Sequence, residues 1–332
     1  MRARSSRRQH RSRAWRRPCV AAAFAAALPA ACSSAPEPGQ RLPRLGDEIS
    51  VCGQLFHTGT PVVLWSDPGG YDAYRPWPRF ARAGEEPTEK AHYSPARRNL
   101  PPDVARRVAE RGWTLEDLRK VVHLFVIHYD VAGTARQCFK VLQDMRTLSV
   151  HFLLDVDGTI YQTLDLKERA WHAGSANDHS VGIEIAHIGA YPAPDHEVLR
   201  TWYRRDERGL RVVFPKWMTE TGIRTAGFVA RPARQELIHG EIHGRRYWQH
   251  DFTAEQYRAL ARLTATLSRV LPRVRLAAPR GPDGAVVRHA LAGPELHAFE
   301  GLVGHWHVTR RKQDPGPAFE WDRVLRSARA LR

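Results

Sequence analysis

Residues 121–129, Val121-Val122-His123-Leu124-Phe125-Val126-Ile127-His128-Tyr129, form a compact apolar run. A strand with one wet face alternates apolar and polar residues; a run this continuous suits a central strand covered on both faces. Sheets of that kind are covered by helices on both sides, which points to an α/β chain. The run ends at His128, where the strand gives way to the loop Asp130-Val131-Ala132-Gly133. Functional side chains are often held at such strand ends.

Other segments fill in this architecture. Val150-His151-Phe152-Leu153-Leu154 and Thr159-Ile160-Tyr161-Gln162 flank Asp157-Gly158, the pattern of a tight hairpin. Val181-Gly182-Ile183-Glu184-Ile185 reads as a further strand. Residues 103–120 have helical spacing through Val104, Val108, Trp113, Leu115 and Leu118, interrupted at Gly112. Thr253 and Gln256 predict a capping box that opens a helix with the stripe Tyr257, Leu260, Ala261, Thr264, Leu267 and Leu271, stopped by Pro272. The expected fold is therefore α/β, a mixed central β-sheet flanked by helices. Residues 47–120 are expected to be an N-terminal extension packing on a core domain at 121–330. Residues 190–250 hold Pro, Gly and many aromatics without steady periodicity and read as an insertion laid over that core.

Charge separates the front of the chain from the rest. The net charge is +16, from 51 Lys and Arg against 35 Asp and Glu. Residues 1–17 contain eight arginines and no acid, so residues 32–332 carry +8. After the basic segment comes Val20-Ala21-Ala22-Ala23-Phe24-Ala25-Ala26-Ala27-Leu28, then Pro29-Ala30-Ala31-Cys32. A basic segment, a short apolar run and small residues predict a signal peptide over residues 1–31, because the run is too short for a permanent span. Its end is similar to the lipobox of bacterial lipoproteins, which implies lipidation at Cys32 and a periplasmic protein anchored to the outer membrane; Pro29 stands where that pattern usually has Leu, and ordinary cleavage near Ala31 is the alternative. Residues 32–46 are rich in Pro, Ser, Gly and Arg and read as a tether. A secreted chain has little access to nucleic acid, so that partner is not expected despite the basic charge. Cys52 and Cys138 remain; two cysteines make no disulfide framework, and both a bridge and buried free thiols fit them.

Seventeen histidines invite a search for a metal site, yet the sequence has no His-Glu-x-x-His and no paired Cys-x-x-Cys. A catalytic metal can instead draw ligands from distant elements and leave one position open. His128, then His305 in Gly301-Leu302-Val303-Gly304-His305, then Asp314 in Lys312-Gln313-Asp314-Pro315-Gly316-Pro317 would make such a set. Taken singly, each histidine is better suited to a structural hydrogen bond than to a ligand, and spacing alone does not overturn that.

Ile127-His128-Tyr129, Ser149-Val150-His151-Phe152, Asp157-Gly158-Thr159-Ile160-Tyr161-Gln162, Ala170-Trp171-His172-Ala173-Gly174, Asn177, Ser180-Val181-Gly182-Ile183-Glu184-Ile185, Gly304-His305 and Lys312 through Phe319 occur in that order. Together these blocks resemble the zinc-dependent N-acetylmuramoyl-L-alanine amidases of the type 2 family, which are related to peptidoglycan recognition proteins and to amidase-type phage lysozymes. The resemblance implies zinc held by His128, His305 and Asp314, with Glu184 as catalytic acid or base and Lys312 stabilising an oxyanion. It also implies that His172, Trp171 and Asn177 contact substrate. The segment from His305 to Asp314 is one residue shorter than in the best-known members, and His307 stands where many members have an acid.

The implied reaction is hydrolysis of the amide between N-acetylmuramic acid and L-alanine in peptidoglycan or muropeptides, by a monomer. An amide resists water because its carbonyl is a poor electrophile and its amine a poor leaving group. Zinc can acidify water and polarise the carbonyl, and a carboxylate can move the proton to the amine. The alternative is a non-catalytic peptidoglycan-binding protein on the same fold.

Overall fold

The run at residues 121–129 lies at the heart of a six-stranded mixed sheet in the computed structural model, which describes residues 44–80 and 90–332. The strands are β1 (Val62–Leu64), β2 (Leu124–Tyr129), β3 (Phe152–Leu154), β4 (Ile160–Gln162), β5 (Ser180–Ile185) and β6 (Gly301–Gly304). Their spatial order is β6-β2-β5-β3-β4-β1. The first four in that order run parallel; β4 turns back on β3, and β1 pairs parallel with β4. The turn between β3 and β4 is the expected one: Gly158 takes φ +87°, and its N–H donates to Asp155 O at 3.0 Å.

Six helices matter to the packing: α1 (Pro102–Arg111), α2 (Leu115–Val121), α3 (Ala135–Lys140), α4 (Ala254–Val270), α5 (His305–Val308) and α6 (Trp321–Ala330). α1 and α2 are separated at Gly112, which adopts φ +77°. Thr253 caps α4 with the reciprocal Gln256 bonds that the sequence predicts. Alternation along each strand sends side chains to two faces. Phe125, Ile127, Phe152, Leu154, Val181, Ile183 and Ile185 join the buried stripe of α4 and the inner side of α6 in the main core. On the opposite face, Leu153 and Tyr161 pack with Phe139 of α3, while Leu124, Val126 and Val303 pack with Ala173, Ala176 and Leu296. His128 and Glu184 belong to this second face, between those two smaller cores.

The two thiols are free. Cys138 is buried in the cluster on one face and Cys52 packs against the core on the other, so the sheet keeps them apart. The aperiodic stretch at residues 190–250 is more ordered than its sequence suggests. It holds a short helix, Glu197–Trp202, and two antiparallel hairpins, Tyr203–Asp206 with Gly209–Val212 and Ile238–Ile242 with Arg245–Gln249. Their strands have only four or five residues and each buries a single side chain, so no sustained apolar period marks them. The leader and Cys32 lie outside the described residues. Among the described residues, no helix is long and apolar enough to cross a membrane.

Candidate metal centre and active site

Three elements bring His128, His305 and Asp314 together. β2 and β6 run side by side with Ile127 opposite Gly304, so His128 and His305 each follow a paired residue at the same end of the sheet. Gly304 then lets the next loop close in: a Cβ there would lie 2.8 Å from Pro315 Cδ. Trp306 N–H donates to Asp314 O at 3.2 Å, which fixes the turn that carries the carboxylate back. As a result, His128 Nδ1, His305 Nδ1 and Asp314 Oδ2 form a triangle with sides of 2.9, 2.9 and 3.0 Å. All three residues are buried.

Burial and the facing His305 ring lower the His128 pKa to about 4. Burial by itself would raise the Asp314 carboxyl, but the His305 and His128 rings outweigh it and hold that group well below the ordinary carboxylate range. Two imidazole lone pairs and a carboxylate crowded this closely repel unless a proton or a cation lies among them. Two nitrogens and one oxygen form a donor set suited to a divalent ion of the zinc type. Atoms about 2.1 Å from a tetrahedral ion stand about 3.4 Å apart, and the observed triangle reaches that spacing with sub-ångström movement. The residues fit the metal that the resemblance implies.

Glu184 is placed by register, lying directly opposite His128 in the β2–β5 pairing and on the same face. Its Oε2 is buried without a hydrogen-bond partner among the described residues. Burial, and then the negative charges of Asp314 and Asp130, push its pKa well above the ordinary carboxylate range. Gly182 precedes it on the same face, and the space left by the missing side chain is taken by the His172 ring. A Cβ at Gly182 would lie 2.4 Å from His172 Cε1. His172 Nδ1 is 3.0 Å from His128 Nε2, so His172 touches a metal-site residue directly. Burial first, and then the neighbouring His128, lower its pKa well below that of free histidine.

Glu184, His172, His305, Asp314, Lys312 and Trp171 line one cavity of about 490 Å³, which contains most of the residues the sequence singled out. Trp171 is anchored by its indole N–H donating to Ser94 Oγ at 3.0 Å, and Lys312 is exposed at the rim. Arg146 and Arg311 add positive charge to the lining. Asn177 lies outside that lining. It is buried, and its carboxamide oxygen accepts from the N–H groups of His172 (3.2 Å) and Ala173 (2.7 Å). That oxygen helps to position the His172 loop. His307 does not disturb the shorter ligand loop. Its Nδ1 accepts from Gly304 N–H at 2.8 Å and its Nε2 faces Val287 O at 2.8 Å, which locks the start of α5.

Some supporting residues escape sequence reading. Arg97 is 2% exposed, and its guanidinium donates to the carbonyls of Asn177, Asp178, Ser180, Leu166 and Glu168. It clamps the backbone on both sides of the His172 loop, yet it comes from an irregular stretch that carries no periodic signal. His151 Nδ1 accepts from Gly182 N–H at 3.2 Å, holding β5 behind the His172 ring. Asp130 Oδ1 accepts from the N–H groups of Ala132, Gly133 and His187, tying down the loop after β2.

A mixed-sheet α/β domain with two histidines and an aspartate converging beside a buried glutamate is equipped for metal-assisted hydrolysis. The Amidase_2 family, described as N-acetylmuramoyl-L-alanine amidase, matches residues 118–317, more than half of the sequence, and the chain belongs to this family. Amide hydrolysis in peptidoglycan is the activity that goes with it. Similar solved structures include a selenomethionine derivative of AmpD, at 19% identity over 72% of this chain and 89% of that one, with a TM-score of 0.32. Another is the amidase AmiD from E. coli in complex with anhydro-N-acetylmuramic acid-L-Ala-D-γ-Glu-L-Lys, at 19% identity over 62% and 57%, with a TM-score of 0.34. The endolysin amidase LysCS from Clostridium intestinale is similar at 13% identity over 64% and 86%, with a TM-score of 0.32. No curated protein sequence matches the chain.

Proposed function

We propose that the chain is a zinc-dependent amidase that cleaves the bond between N-acetylmuramic acid and L-alanine, acting in the periplasm from a lipid anchor at Cys32. The convergence of His128 Nδ1, His305 Nδ1 and Asp314 Oδ2 beside the unpartnered Oε2 of Glu184 supports this reading most directly. Zinc held by the three ligands supplies a Lewis acid that polarises the amide carbonyl and acidifies water. Glu184 receives the proton of the attacking water on its carboxylate and returns it to the departing alanine nitrogen. Its raised pKa suits the second half of that task, because a carboxyl that readily holds a proton has one to give. Lys312, exposed at the rim, offers its ammonium to the oxyanion that develops on the carbonyl. His172 braces His128 through the contact with its Nε2.

The test is incubation of the full-length protein with muropeptides, with zinc supplied and with zinc chelated, scoring free stem peptide. Zinc-dependent release supports the proposal; retained binding without release in zinc overturns it in favour of a peptidoglycan-binding protein. Glu184→Gln should keep bound zinc, measured by metal analysis, and lose at least about a hundredfold in kcat. Loss of the metal instead would make Glu184 a ligand.

A further inference from the structure

Two side chains at the catalytic cavity have no role in the mechanism above, yet both are held in exposed positions that cost the fold something. Trp217 is 63% exposed and Val131 53% exposed, and both line the cavity that contains Glu184 and His305. Trp217 sits beside an anchored turn: Met218, 7% exposed, packs with Trp202, Tyr203 and Leu210, and its N–H donates to Pro215 O at 2.9 Å. Val131 has φ +53°, a left-handed conformation that a β-branched residue resists. The three bonds accepted by Asp130 Oδ1 hold the loop in that conformation. Backbone strain of this kind clusters at ligand clamps and active sites.

The charges in the cavity indicate what that surface meets. Arg146, Arg311 and Lys312 supply its cationic lining, while Trp202, Trp217 and Val131 contribute large apolar groups. The bond to be cut joins a neutral sugar to an acidic peptide. Cationic groups suit the peptide's carboxylates, whereas a pyranose ring presents apolar C–H faces that stack on an open indole. We infer that Trp217, with Val131 beside the same cavity, is a binding platform for the saccharide of the substrate. This inference rests on the amidase reading for the identity of the sugar, but its test does not depend on turnover. The platform belongs to the segment at 190–250, so that segment contributes a binding surface as well as a cover.

The experiment compares full-length wild type, Trp217→Ala and Trp217→Phe on two probes. One is N-acetylglucosaminyl-N-acetylmuramoyl-peptide, followed by stem-peptide release; the other is the same disaccharide without peptide, followed by calorimetry or NMR titration. Trp217→Ala should raise KM about tenfold with kcat within about twofold, and weaken disaccharide binding about tenfold. Trp217→Phe should recover most of both. Because Trp217 is exposed, thermal unfolding of the variants should match wild type. Unchanged KM and unchanged disaccharide affinity in Trp217→Ala overturn the platform, as does a wild type that binds no disaccharide. A wild type that releases no peptide but loses disaccharide binding on Trp217→Ala overturns the amidase reading and leaves the platform standing.

Discussion

Gly182→Ala is the sharpest probe of how the site is built. The added methyl would lie 2.4 Å from His172 Cε1 and 2.5 Å from Nδ1, where ordinary contact begins near 3.4 Å, an overlap of about 1 Å. The ring has no slack to absorb this, because Nδ1 is 3.0 Å from His128 Nε2 and Nε2 is 3.3 Å from Ser180 Oγ. Overpacking of this size costs about 1–3 kcal/mol, and the displaced hydrogen bonds about 1 kcal/mol more. Removing the ring should remove the penalty: in a His172→Ala background the alanine at 182 fills vacated space, and replacing glycine restricts the unfolded chain, an effect of about 0.4–1 kcal/mol in favour of folding. Denaturant unfolding of wild type, the two single variants and the double variant, all in chelator, gives the coupling energy, expected to be at least about 2 kcal/mol. If Gly182→Ala costs the same with and without His172, the ring does not occupy the glycine's space and the account of the site's packing fails.

Other substitutions test single features of the frame. Asp155 is fully buried, and burial followed by the nearby Asp157 charge raises its pKa to about 8. Its folded form keeps a proton that the unfolded chain releases near pH 4, so stability should fall as pH rises from about 4 to 8 and level off above that. In Asp155→Asn the decline should be shallower by up to about 1.4 kcal/mol per pH unit, read from denaturant unfolding at several pH values; an identical slope refutes the assignment. Arg97→Met leaves five buried carbonyls without their shared donor and should cost at least about 3 kcal/mol. Amide exchange at residues 172–180 should rise most in that variant, and a uniform rise across the sheet would show that Arg97 acts on global stability alone.

Much of the frame is written locally. The apolar run that ends at His128, the turn at Asp157-Gly158 and the Thr253–Gln256 cap each rest on neighbours a few residues apart, and each appears where the sequence places it. The hairpins within residues 190–250 escape such reading, because strands of four or five residues that each bury a single side chain bear no sustained apolar period. Arg97 escapes for a different reason: its five partners span residues 166 to 180, and nothing beside it in sequence marks the clamp.

The order of motifs names His128, Glu184, His305 and Asp314, and residue types with covalent order settle which groups are available for chemistry. Tertiary structure decides how they meet. Register sets Glu184 opposite His128, and a glycine lets the Asp314 loop reach His305. Asn177 turns inward because the His172 loop needs its oxygen, and Trp217 turns outward because Met218 takes the buried place beside it. Local propensity acts over a few residues, whereas convergence of atoms 177 and 186 positions apart depends on which strands pair and which side chains leave room.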